Sequence, residues 1–263
     1  MLSTSFMPLG AQTRAESRLV VGIAMGAIGS ADLWSVPNQP ITTAGRPTPD
    51  VFALERRLRN NFTASGHVTY FHTPHLGFTG EFGYTGLGTE DSCQHVQSSG
   101  AIDIGLICNI IDGGFDGAGN IASRPASSAK AVNLLGGVTF RAASRAVIQP
   151  YARALAGFTL LPRNTVGLTS SVSLLGETVV PVYISDGSSN LRPTGALAIG
   201  IATYPSGGSQ FRLELRGTWV SLSSVDGPST QQGLVPPHSS RFVLVPSLVV
   251  GFDIVLKTTP RLE

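Results

Sequence analysis

Residues 211–220 read FRLELRGTWV, in which Arg212, Glu214 and Arg216 alternate with large apolar residues. In an extended chain the three charges share one face with Thr218, and Phe211, Leu213, Leu215 and Trp219 share the other. Three ions on one face of a strand are costly in an apolar core. They are ordinary where that face lines the polar interior of a closed membrane barrel. Glu81, Arg141, Arg153 and Asp253 occupy the polar faces of four further alternating stretches. Such a set can neutralise itself as a structural ion-pair network, which avoids the cost of an isolated buried charge. It can also line a narrow polar pathway or gate. Four arginines against three acids leave a small positive excess, which would favour anions if a pore exists.

The other candidate residues are weaker. His238 and Ser240, in HSSR, are two apart and share a face if extended, but no acid is placed beside them. His67 stands alone near no obvious nucleophile, and His72, His75 and His95 lack metal-ligand spacing. The loop DGGFDGAGN offers oxygen ligands at Asp112, Asp116 and Asn120. Its spacing is not that of an EF-hand, and a flexible glycine-rich loop accounts for it as well. Its glycines imitate a nucleotide-binding fingerprint, but no βαβ unit surrounds them. No catalytic residue, metal site or cofactor is therefore expected. Arg56, Arg57 and Arg59 form a basic cluster, suited either to lipid phosphates at a membrane rim or to a solvated turn. Cys93 and Cys108 lie in one Gly/Ser/Asp-rich segment, so a local disulfide is expected in an oxidising compartment, the alternative being two unrelated thiols.

Composition narrows what can hold these residues. Only 13% of the 263 residues are charged, about half the share usual in soluble domains. The mean hydropathy is +0.19, yet no run reaches the roughly 18–20 apolar residues of a spanning helix; the longest, Leu19 to Ile28, is rich in Gly and Ala. In lipid only helices and closed barrels satisfy every backbone hydrogen bond, so a barrel is the remaining membrane option. A formal charge of +2 gives no nucleic-acid footprint.

Period-two alternation recurs along the chain. Phe242 to Leu256 places Phe242, Leu244, Leu248, Val250, Phe252, Ile254 and Leu256 opposite Ser247, Gly251 and Asp253. Ile148 to Leu160 sets Gln149, Tyr151, Arg153 and Thr159 against alanines and large apolar residues, and Val132 to Ala142, Leu76 to Tyr84 and Gly195 to Tyr204 alternate likewise. Each approaches the roughly 9–11 residues that a tilted membrane strand needs. Connections are short at Ala143 to Ala146 and at Pro205 to Gly208, and long over Thr89 to Ser128, Pro162 to Arg192 and Ser223 to Ser240. Short turns at one end and long loops at the other mark an outer-membrane barrel. In the first third, Val51 to Leu58, Phe62 to Phe71 and Leu76 to Gly88 all look like strands. If all three cross, Ala101 to Ile111 supplies the crossing that parity requires and the count is ten. Otherwise two segments merge, or one lies in a loop, and the count is the favoured eight. Pro150 and Pro246 lie within strands and are expected to mark bulges.

The strands, turn asymmetry and C-terminal strand resemble the small bacterial outer-membrane barrels of the OmpA-like and opacity-protein type, over about Arg18 to Lys257. That family's last strand carries an assembly signal, which Gly251, Ile254 and Leu256 match; the terminal aromatic is absent, and Lys257 to Glu263 trail beyond. The resemblance implies an all-β, closed, antiparallel up-and-down transmembrane barrel whose interior is filled by side chains. It implies residence in the bacterial outer membrane among lipids and lipopolysaccharide, and delivery by the barrel-assembly machinery. The expected organisation is a residual signal peptide or disordered N-terminus over residues 1–16, barrel over 17–257 and tail over 258–263. An alternative makes Leu19 to Ile28 itself a signal h-region. The function expected is a structural or surface-interaction role, without catalysis, through long extracellular loops. The alternatives are a narrow channel or small-solute transporter, an outer-membrane lipid-modifying enzyme, and a soluble barrel or sandwich of the lipocalin kind.

Overall fold

The computed structural model describes residues 18–41, 50–97, 129–142, 146–161, 167–172, 178–184, 191–203, 208–228 and 238–257. Eight antiparallel strands close into a barrel, each hydrogen-bonded to the next in the chain and the last to the first. They are β1 (Arg18–Ile28), β4 (Asn61–Phe71), β5 (Leu76–Leu87), β7 (Ala129–Arg141), β8 (Ile148–Leu160), β11 (Leu191–Thr203), β12 (Ser209–Val225) and β13 (His238–Lys257). The links β4–β5, β7–β8 and β11–β12 lie at one end, where β1 starts and β13 stops, and the long links lie at the other. Residues 1–17 and 258–263, Ala101 to Ile111 and the Asp112 to Asn120 loop lie outside the described residues.

The alternation has one consistent sense around the wall. On β8 the burial pattern is strict, with Gln149, Tyr151 and Arg153 inside and Ile148, Ala152 and Ala154 outside. Ile23, Met25, Phe78, Phe82, Leu134, Ile199, Leu215 and Leu248 are each more than half exposed on the exterior. An apolar outside around a polar inside is the arrangement of a barrel set in hydrocarbon, the reverse of a soluble lipocalin-type barrel.

Val51 to Leu58 does not cross. It belongs to β3 (Asp50–Leu58), the middle strand of a separate sheet with β2 (Ala31–Ile41) and β6 (Thr89–Gln97). This sheet continues β1, β4 and β5 beyond the wall at the long-loop end. Its buried face, with Leu33, Trp34, Val36, Phe52, Leu54 and Leu58, joins Val220, Leu222, Val243 and Val245 of β12 and β13 in one apolar cluster. Both those strands outrun the wall: β11 pairs with β12 only as far as Val220, whereas β12 and β13 stay paired to Val225. The result is a small two-layered apolar cap over the mouth. A further hairpin, β9 (Gly167–Val172) with β10 (Thr178–Ile184), lies within the long β8–β11 link.

The prolines require a correction. Register runs unbroken through Pro150 against β11 and through Pro246 against β12, so neither marks a bulge. Each sits just past the end of the ladder on its other side, where its carbonyl accepts a last bond, from Ala142 N–H and Gly29 N–H respectively. At such a position the missing proline N–H removes no ladder bond.

Candidate functional site: the charged lumen

An eight-stranded barrel is just wide enough for side chains to fill. Glu81, Arg141, Arg153, Arg212, Glu214, Arg216 and Asp253 all point inward and are buried. Six of them meet at mid-height. Arg216 spans the lumen and grips Glu81 with both terminal nitrogens, Nη2 donating to Oε2 at 2.7 Å. This fork-to-carboxylate pairing is the strongest ion-pair geometry that side chains offer. Arg216 Nε also donates to Glu214 Oε1 at 2.9 Å. Glu214 is the hub, because its Oε2 accepts from Tyr151 Oη at 2.8 Å and lies 3.5 Å from both Arg153 Nη1 and Arg212 Nη1. Arg153 Nη1 is also 3.8 Å from Glu81 Oε2.

Arg212 carries the network across to β4. Its Nη2 donates to His67 Nδ1 at 3.1 Å. A guanidinium only donates, so Nδ1 accepts and the imidazole hydrogen sits on Nε2. That nitrogen faces Asp253 Oδ1 at 3.6 Å, as does Arg212 Nε, while Gln210 Nε2 donates to Asp253 Oδ2 at 3.0 Å. Arg141 is placed apart, its guanidinium 4.0 Å above the centre of the Phe71 ring.

Glycines make the room. Gly22 lies opposite His67 on one side and Asp253 on the other, and a Cβ there would collide with both side chains. Gly200 pairs with Tyr151 and Glu214, and the Tyr151 ring lies against its bare inner face. Gly251 pairs with Arg212 and leaves space for its guanidinium. Gly251, read from sequence as part of the assembly signal, therefore also has a packing role.

Hydroxyl chains flank the ionic layer. On the short-turn side Thr69, Thr79 and Thr139 are linked at 2.9 and 2.6 Å across three strands. On the cap side Thr85, Asn133, Thr159 and Thr194 form a chain with each link at 2.6 Å. Among the described residues, small cavities of about 20 Å³ lie between the Glu81–Arg216 pair and the cap and on the short-turn side. Each has room for about one water.

Periodicity placed the seven charges inward. It left His67 isolated, and it did not associate Tyr151 or Gln210 with the acids. For His67 and Tyr151 the signal was cross-strand, a glycine opposite a large polar residue on the neighbouring strand, and Gln210 stands opposite Asp253 itself; both relations become visible only once register is known.

The basic cluster does not exist as one surface. Arg56 is buried with its guanidinium 5.5 Å from the Trp34 ring, Arg57 pairs with Asp32 at 2.9 Å and Glu55 at 2.7 Å, and Arg59 lies 3.9 Å from Glu90. Successive residues on a strand point to opposite faces, which separates Arg56 from Arg57. At the long-loop end, Ser239 Oγ donates to Asp226 Oδ1 at 2.8 Å, so this acid is engaged by a serine. The Cys93 and His238 side chains and Cys108 lie outside what is described.

No family model matches the sequence, and no curated protein matches it. Among solved structures it is similar to Neisserial surface protein A, with 9% identity, 90% of this chain and 96% of that one covered, and a TM-score of 0.40. It is similar to the outer membrane protein OprG from Pseudomonas aeruginosa, with 10% identity, coverages of 93% and 97%, and a TM-score of 0.45. It is also similar to Ail, the attachment invasion locus protein of Yersinia pestis, with 12% identity, coverages of 92% and 99%, and a TM-score of 0.33.

Proposed function

We propose that this small outer-membrane β-barrel is a non-catalytic surface-interaction protein, in which the wall is an anchor and the cap and long loops are the working face. The observation that carries this reading is the filled lumen. An ion-paired layer occupies its middle, and an apolar cap lies over its outer mouth. Among the described residues, the cavities on either side of that layer hold about one water each, far less than a continuous aqueous path requires. A plugged barrel offers an outside partner only what projects beyond the wall. Rigid scaffolds commonly present recognition on such projections. The surroundings are outer-membrane lipids and lipopolysaccharide, and the route in is the barrel-assembly machinery.

The test compares cells displaying the full chain with cells displaying a variant in which segments 162–190 and 226–238 are replaced by short turns. Adhesion to cultured epithelial cells is expected to fall several-fold in the trimmed variant, while the wall still shows the gel-mobility shift of a folded barrel. The purified full chain is expected to give no steady conductance in planar bilayers. Stable conductance, lost on Arg153→Ala, would favour a channel. Altered lipid A in expressing cells would favour an enzyme.

A further inference from the structure

Arg153, Gln210, Arg212 and Asp253 line the cavity on the short-turn side of the ionic layer, and all four are buried. Gln210 donates through Nε2 to Asp253 Oδ2 at 3.0 Å. Gln210 Oε1 and Asp253 Oδ1 are left without a hydrogen-bond donor among the described residues. The Nε–H groups of Arg153 and Arg212 are left without an acceptor among the same residues. The ion pairs of these groups are long. Arg212 Nε stands 3.6 Å from Asp253 Oδ1, and Arg153 Nη1 stands 3.5 Å from Glu214 Oε2. The charges here are paired, but the hydrogen bonds are incomplete.

A buried donor or acceptor left unmade carries its full desolvation cost, and more so on a charged group. Polar atoms that face each other across more than about 3.5 Å are commonly bridged by a water. We propose that this cavity is the site of one structural water, which donates to Asp253 Oδ1 and Gln210 Oε1 and accepts from Arg212 Nε and Arg153 Nε. Two acceptors and two donors are the full complement of a single buried water, and a cavity of about 20 Å³ has room for one. No ion matches this wall. A halide only accepts hydrogen bonds and would be repelled by the two oxygens, and a cation would be repelled by the two guanidiniums. The water joins β8 to β12 and β13, strands that β11 separates along the wall. It therefore braces the cylinder from within, at a place where no backbone ladder connects those strands.

The experiment uses the full chain, refolded in detergent and crystallised from sodium bromide. One ordered water without bromine signal is expected, within hydrogen-bond distance of Asp253 Oδ1, Gln210 Oε1 and Arg212 Nε. Ala202, buried on the wall of the same cavity, gives the test in solution. Ala202→Val fills the cavity with methyl groups and should remove one long-lived water from the count given by magnetic relaxation dispersion. It should also lower the urea midpoint, because the four polar groups lose their bridge. A dry cavity makes the opposite prediction, since filling a void with apolar atoms raises stability. The crystal structure of the wild-type chain decides the matter if Ala202→Val does not fold. An empty cavity between ordered side chains would overturn the proposal, as would an anomalous bromine peak there, or direct hydrogen bonds among the four groups. An unchanged count of long-lived waters in Ala202→Val, or a raised midpoint, would also overturn it.

Discussion

Strands β3 and β12 carry nearly the same short word, LERRL in one and LELR in the other, and use it in opposite senses. On β12, Leu213 and Leu215 face out and Glu214 and Arg216 face in. On β3, Leu54 and Leu58 are buried in the cap, with Arg56 between them against the Trp34 ring, while Arg57 and Glu55 lie on its outer face, side by side with Asp32. The solvent behind each strand decides. Hydrocarbon outside the wall draws the leucines outward and forces the charges to find one another within. Water outside the cap does the reverse. Alternation therefore reports that a strand has two unlike faces and leaves open which face is buried.

Breaking the Glu81–Arg216 pair should have the largest effect. Arg216→Met alone leaves Glu81 and Glu214 short of a buried partner and should cost about 3–5 kcal/mol, read as a lower urea midpoint in liposomes for the whole barrel. The double variant Glu81→Met/Arg216→Met should be less destabilised than either single variant, because no lone ion remains at that pair. A double variant as unstable as the sum of the singles would contradict the ion-pair account.

In the cap the corresponding deletion is Phe52→Ala, at a fully buried side chain. It should also cost about 3–5 kcal/mol, but locally. Trp34 fluorescence should shift to the red while the gel-mobility shift of the wall persists. If the wall unfolds together with the cap, the two regions are one cooperative unit and the contrast fails.

Smaller effects separate the two faces of the wall. Gly200→Ala drives a methyl into the Tyr151 ring and the Leu213 carbonyl and should cost about 1–3 kcal/mol. Gly80 faces outward, where an added Cβ would meet nothing within 4 Å. Gly80→Ala should change stability by about 1 kcal/mol or less, and toward greater stability, since glycine in a strand carries an entropic cost. Urea titration of the two variants side by side measures the difference.

Much of the wall was legible because each crossing repeats one simple rule over about ten residues. Phe211 to Val220 and Phe242 to Leu256 assign their own inner and outer faces. The cap was not legible. Val51 to Leu58 alternates as a crossing strand does, and only its partners, β2 and β6, place it above the wall. The eight-or-ten question turned on that ambiguity. The lumen was legible as a list of charges and illegible as an arrangement. Nothing local in the stretches RLVVG and LAIGI says that Gly22 will face His67 and Asp253, or that Gly200 will face Tyr151. Those relations belong to register between strands far apart in sequence.

The seam of the cylinder joins the first described strand to the last, from Arg18 against Lys257 to Ile28 against Ser247. Until the final twenty-residue strand β13 has been delivered, every earlier strand belongs to an open ribbon with two raw hydrogen-bonding margins. Folding of the wall therefore cannot be completed before β13 itself has been made and exported. The nascent polypeptide must be kept from pairing with its neighbours, and closure comes last, as a single event.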